Sequence, residues 1–392
     1  MGSILIPLSS LLVAPLLTRS LGPVGQGNFS TSQSVIVVAA SLLGLGASDS
    51  LAVYSNYWRR TFRWSVWGAA VLVALVVSLG GAMAFAQASL LPWDLILPLT
   101  GGAVIFALAL IQRGEVLNRN MILETSVEKW ITSLLRLALT AGFFVTGRLD
   151  LQAAVLSLVL PQFVGYIYLS FAVLRVPRQP GMVSTRIMRR VTDRPLRTAT
   201  WAVLGGLGGV LLVNLDPIVL RPLIGAEQLG YYAIAMLIAE LFTVAAKPFR
   251  DAALAGSSGV RKAGEFTSII KWCALVMTAG LVICGCTLWF LIPFVFGHAF
   301  EGAVLPALIL AFGGWAKGLG FLVNGILVRT GHARMRAYAT LTAVAFSVGG
   351  MILLSPWGAV GAAVAGAFAY LVMLTPGVIF LRARQGNPRR GR

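Results

Sequence analysis

The feature that most limits what this chain can become is a series of long apolar runs, each ended by a short charged, proline or glycine-rich break. A bilayer core takes about 20 apolar residues per crossing helix. Twelve such runs can be read. Six are Ser3–Thr18, Phe29–Tyr54, Trp64–Ala86, Leu95–Gln112, Trp130–Thr146 and Leu151–Leu174; six more are Thr198–Leu220, Gly230–Ala246, Ile269–Phe296, Ala303–Val328, Ala337–Leu354 and Trp357–Leu381. Across 392 residues, 58% are hydrophobic and only 11% charged, against about 45–50% and about 25% in a soluble domain. One core cannot absorb that excess, so soluble enzymes, disordered chains and nucleic-acid-binding domains are excluded. The sequence predicts an all-α polytopic membrane protein with twelve transmembrane helices, the lipid bilayer as its solvent, and no nucleic acid as partner.

Charge orients the spans. The net charge of +18 comes from 31 lysines and arginines. Scored on alternate breaks, 26 of them fall on one side and only Arg19, Arg148 and Arg221 on the other; Arg136 and Lys317 lie inside spans. A split of that size is the positive-inside pattern. It places the basic breaks and both termini in the cytoplasm, where each base near the anionic leaflet contributes on the order of 1 kcal/mol. The long polar segment 175–197 then reads as a basic cytoplasmic linker between two six-helix halves, 1–174 and 198–381, with a basic tail over 382–392. The N-terminus lacks a charged n-region and has Pro7 and Pro15 in its apolar run, so it is not a signal peptide. Cys273, Cys284 and Cys286 read as small apolar fillers. His298 and His332 stand far apart, so no metal site and no cofactor are expected.

The halves repeat a turn. Leu21-Gly22 leads through four residues to Gly27, Asn28 and Phe29; Ile224-Gly225 leads through four residues to Gly230, Tyr231 and Tyr232, at a constant offset of 203. The glycines suit a tight turn and the aromatic suits an anchor at the interface. The same device after the first and seventh spans predicts two pseudo-symmetric lobes. Small residues at Gly205/Gly209 and Ala362/Gly366 predict close helix packing.

Four segments resemble polysaccharide flippases, in order along the whole chain. Pro15-Leu-Leu-Thr-Arg19-Ser-Leu21-Gly22-Pro23-Val-Gly25-Gln-Gly27-Asn-Phe29 is similar to the first-span signature of that family. Asn214-Leu-Asp216-Pro-Ile-Val-Leu220, with Ile224-Gly225 and Gly230-Tyr-Tyr232, resembles its mid-chain signature. Phe296-Gly297, Asn324-Gly325 and Gly331-His-Ala-Arg334 fit its tenth span and following turn, and Trp357-Gly358-Ala-Val-Gly361-Ala-Ala-Val-Ala365 its last core helix. The resemblance implies a lipid-linked oligosaccharide flippase of the multidrug/oligosaccharidyl-lipid/polysaccharide exporter superfamily. It implies two six-helix lobes around a central cavity, in a bacterial inner membrane. The substrate implied is an undecaprenyl-diphosphate-linked glycan, with a polymerase and glycosyltransferases of the same pathway as partners.

Ionisable residues inside spans are costly and are the site candidates. Lys317, among glycines small enough for a headgroup to approach, stands first as a diphosphate contact; Arg136, Arg19 and Arg221 follow. Lys317 and Arg136 have an alternative in snorkelling or in pairing with a carboxylate. Asp216, Glu240 and Asp49 are candidates for ion coupling. Their alternatives are Arg221 for Asp216, a lysine or arginine for Glu240, and Arg59/Arg60 for Asp49. A membrane glycosyltransferase, polymerase or ligase would need an acid and base gathered in an outer loop; the outer breaks are short and carry three bases in all. The runner-up is a cation-coupled multidrug exporter, or another lipid-linked precursor exporter, of the same superfamily.

Overall fold

A computed structural model of the chain describes residues 2–44, 76, 79–80, 83, 87, 92–119, 121–175, 195–254, 263–329 and 332–386. Most of the third span, most of the linker, the end of the tail and Asp49 lie outside the described residues. Those described form ten α-helices joined by turns and short 3-10 segments, with no strand among them. The fold is all-α, as the apolar runs predict.

Helix α1 (Gly2–Gly44) carries the first two spans end to end, broken at Gly22. The fourth to sixth spans are α2 (Ile96–Asn118), α3 (Ile122–Val145) and α4 (Leu151–Arg175). The seventh is α5 (Pro195–Asn214) and the start of α6 (Asp216–Leu254), with a bend at Leu215. Pro217 explains the bend, since proline removes a helical N–H and crowds the preceding turn. Past a second break at Gly225, α6 becomes the eighth span. The rest are α7 (Ala263–Phe296), α8 (Val304–Arg329), α9 (Ala333–Leu354) and α10 (Gly358–Gly386).

The two repeat glycines share one backbone conformation. Gly22 has φ 65° and ψ −175°; Gly225 has φ 80° and ψ 174°. A Cβ at either would meet no atom within 4 Å, so backbone, not space, requires glycine there. Gly147, Gly297 and Gly358 also have positive φ. In sequence, all five fall at breaks between apolar runs that are poor in lysine and arginine. The repeat aromatics do something other than anchor at an interface: Phe29 is 3% exposed and Tyr232 is fully buried. Once the chain reverses at glycine, the next ring points back into helix packing, where burying it gains more.

Several helices outrun their apolar runs. The segment 113–129 reads as a loop by charge, yet α2 extends to Asn118 and α3 begins at Ile122. The charges there neutralise one another on helices, as described below. Helix α7, at 34 residues, is about 51 Å long and overshoots a core of about 30 Å.

The chain divides into two compact units, Met1–Glu227 and Gln228–Arg392. In the first, α1 packs on α2, α3 and α4, around Val13, Leu17, Ile36, Leu99, Val155 and Leu158. In the second, α10 lies between α8 and α9, and α7 packs on α8. Small residues permit the approach: a Cβ on Gly361 would sit 2.0 Å from the Leu354 carbonyl oxygen, and one on Gly366 3.3 Å from Leu310. Gly209, expected to serve the same purpose, faces open space. On α7, Trp272, Leu275, Ile283, Trp289, Phe290 and Phe294 all face outward. An apolar surface of that extent has a natural solvent only in lipid. The three cysteines are free; Cys273 is buried, but Cys286 is on the outward surface.

Candidate functional site

In the second unit, α8 carries Gly313, Gly314, Gly318 and Gly320 around Lys317. A Cβ on Gly314 would fall 2.8 Å from both the Cα and the carbonyl oxygen of Ala239; on Gly318, 2.9 Å from the Phe242 oxygen; on Gly313, 2.8 Å from Ala367 Cα. These glycines therefore admit the backbones of α6 and α10, not a headgroup. Among them Lys317 is 5% exposed. Its Nζ donates to Glu240 Oε2 at 2.5 Å and lies 5.2 Å from the Tyr370 ring centroid. Two residues singled out for separate tasks form one ion pair. It is lopsided: the Glu240 side chain is 38% exposed and that of Lys317 6%. Further along, the Arg250 guanidinium lies 4.3 Å over the Phe321 ring. A Cβ on Gly325 would sit 2.9 Å from Arg250 Cγ, so glycine in the Asn324-Gly325 pair leaves room for the arginine stem.

In the first unit, α3 bears a polar residue every four positions: Glu124, Glu128, Thr132, Arg136 and Thr140. That spacing stacks them on one helix face. Glu128 is wholly buried and takes a two-pronged bond from Arg113, Nε at 3.1 Å and Nη2 at 2.5 Å. Arg113 Nη2 also donates to Gln162 Oε1 at 2.9 Å. A Cβ on Gly165 would press on Thr132 and on Glu128 Oε1, so glycine on α4 makes room for that carboxylate. Nearby, Tyr168 donates to Glu124, while Arg119 pairs with Glu115 and caps the Val173 carbonyl.

Arg136 differs from these. Its Nη1 meets the Ser10 hydroxyl of α1 at 3.4 Å, a long contact for a charged donor. Its Nε is buried with no acceptor among the described residues, a costly condition for a guanidinium. Of the other candidates, Arg221 Nε donates to Asn28 Oδ1 at 3.1 Å, Asp216 is 1% exposed at the head of α6, and Arg19 is exposed on α1. Sequence reasoning missed Arg113 and Glu128 by assigning both to a loop. The four-residue polar stripe, followed upstream from Arg136, was the signal that marks Glu128 as helical and inward.

A family model described as polysaccharide biosynthesis protein matches residues 1–254. Among solved structures, the chain is similar to an inward-facing multidrug resistance MATE family transporter of the MOP superfamily. The TM-score is 0.68 at 14% identity, over 100% of this chain and 99% of that one. An outward-facing transporter of the same description gives 0.57 at 14%, over 98% and 93%. A Vibrio cholerae MATE transporter variant gives 0.57 at 13%, over 98% and 95%. At such identity the likeness shows the fold, which in MATE transporters is twelve membrane helices in two lobes. None of the curated proteins matches this sequence.

Proposed function

This chain belongs to the polysaccharide biosynthesis protein family, and from that premise we propose that it flips an undecaprenyl-diphosphate-linked oligosaccharide from the inner to the outer leaflet by alternating access. The membrane is the bacterial inner membrane, with both termini in the cytoplasm. Glycosyltransferases complete the substrate on one side, and a polymerase consumes it on the other. The family supports the polysaccharide context, and the fold supports movement across a membrane.

The observation that carries the reading to an anionic substrate is the Arg136 guanidinium. A diphosphate leaving water loses several kcal/mol of hydration that only fixed charge and hydrogen bonds restore. Lys317 is already opposed by Glu240 and Arg113 by Glu128. Among the described residues, Arg136 meets a hydroxyl and keeps an N–H without an acceptor, so it moves ahead of Lys317 as the phosphate contact, with Ser10 beside it. Arginine's planar fork matches two phosphate oxygens. A cation-coupled drug exporter would want membrane acids left open for its cargo. Glu240 and Glu128 are each held by a base, which disfavours that alternative.

In a strain whose other flippases are deleted, Arg136→Ala abolishes export of the lipid-linked sugar while the protein stays inserted at normal level; Arg136→Lys keeps part of the activity. Normal export by Arg136→Ala refutes the assignment of the phosphate contact.

A further inference from the structure

The three nitrogens of the Arg136 guanidinium are not equally placed. Arg136 stands about 21 Å of helix rise from Ile122 and about 14 Å from Val145, so both ends of α3 are remote and its donors must be answered at midspan. Its neighbours on the stripe turn their hydroxyls elsewhere. Thr132 Oγ1 donates to the Lys129 carbonyl at 3.2 Å; Thr140 Oγ1 reaches the Arg136 carbonyl at 2.9 Å and Ser157 Oγ at 3.2 Å. The acceptor comes instead from α1, where the Ser10 hydroxyl takes Nη1. Ser10 has interactions besides this one, and it serves Arg136 only as an acceptor. Both side chains are half-buried. Nε is sealed, whereas Nη2 bonds to no described residue and is not sealed.

We propose that Ser10 is a positioning residue: by holding Nη1 it turns the Nη1/Nη2 end of Arg136 to the open side, as a fork for the two non-bridging oxygens of one phosphoryl group. The inference rests on the flippase reading, in which Arg136 is the phosphate contact. A guanidinium carries five N–H donors in one rigid plane, so fixing one nitrogen steers the rest. With Nε sealed, the side-on approach through Nε and Nη2 is closed, and the end-on pair is what a ligand can meet. Nη1 has a second N–H, so its bond to Ser10 leaves one for a phosphate oxygen beside those of Nη2. Two parallel bonds require two oxygens at a fixed separation, which each phosphorus of a diphosphate ester offers. At 3.4 Å the hydroxyl steers the fork without cancelling its charge. A carboxylate in its place would neutralise Arg136, as Glu128 does Arg113.

The test is a double-mutant cycle on the purified full-length chain in nanodiscs, with undecaprenyl diphosphate as probe. Ser10→Ala weakens binding by about three- to tenfold, the effect of one hydrogen bond, while Ser10→Thr keeps the hydroxyl and restores the affinity. In an Arg136→Lys background, Ser10→Ala leaves binding unchanged, because an ammonium is a point charge with no plane to steer. Should Ser10→Ala fail to fold, Ser10→Cys takes its place, since a thiol is close in size and a weak acceptor. Wild-type affinity in the hydroxyl-free variant overturns the proposal. So does an equal loss in the arginine and lysine backgrounds, for the hydroxyl then acts by packing alone. Failure of the underlying reading looks different. If Arg136→Ala binds the probe as the wild type does, or the wild type does not bind it, the phosphate contact itself is refuted. If Arg136→Ala loses binding and Ser10→Ala does not, only the positioning role falls.

Discussion

Replacing Gly22 or Gly225 by alanine isolates a pure backbone cost. Both residues combine positive φ with ψ near 180°, a region that side-chain-bearing residues occupy only under strain of about 1–3 kcal/mol. No packing term confuses the figure, because an added Cβ at either position meets nothing within 4 Å. Gly101 supplies the matched control: it is helical in α2 and its Cβ position is equally open. There, alanine relieves the helical penalty of glycine, about 0.5–1 kcal/mol. The expected gap between test and control is therefore about 1.5–4 kcal/mol, or roughly one to three decades in the unfolding constant. Reversible unfolding of the full-length chain in mixed micelles measures it. The two turn variants should cost alike, since the repeats share one geometry. If Gly22→Ala and Gly225→Ala prove as stable as Gly101→Ala, the turns do not need left-handed backbone and the shared geometry has no energetic meaning.

Glu128→Gln should destabilise the chain by about 3–5 kcal/mol, because it leaves the Arg113 charge unopposed in a largely buried place. In the same unfolding assay, Arg113→Met/Glu128→Gln should recover much of that loss, and a double variant no better than the single one would refute the pairing argument. In a background without Cys273, Cys284 and Cys286, an impermeant maleimide should label a cysteine placed at Pro23, Ala88 or Pro356 from outside, and should reach one at Gln179 only after permeabilisation. External labelling of Gln179 would refute the orientation.

The periodic apolar runs made the helical fold legible, because a bilayer imposes one length on every crossing and charge marks the sides. The repeat was legible for a related reason. Only glycine serves a turn such as those at Gly22 and Gly225, so the residue type itself reports the backbone. The aromatic partners Phe29 and Tyr232 were misread as interface anchors, since a ring at the end of a turn looks the same in sequence whether it faces headgroups or helices.

The site was legible only in part, because pairing is a fact of tertiary structure. Lys317 and Glu240 stand 77 positions apart, and no pattern on either helix points to the other. The glycines beside Lys317 were noticed, but their purpose inverted: they bring in α6 and α10, and so bring in Glu240. Reading 113–129 as a loop hid the opposite case, where arginine and glutamate 15 positions apart close on each other across a helical turn-around. Counting bases orients a membrane protein well because leaflet charge acts on all of them alike. It says nothing about which bases are already neutralised, because only packing brings an acid such as Glu128 against Arg113 or Glu240 against Lys317. Arg136 lies midway along a stripe whose upstream acid is taken by Arg113, and among the described residues it meets the Ser10 hydroxyl instead of a carboxylate; on the proposed reading, the pairs around it are what leave it for a phosphate.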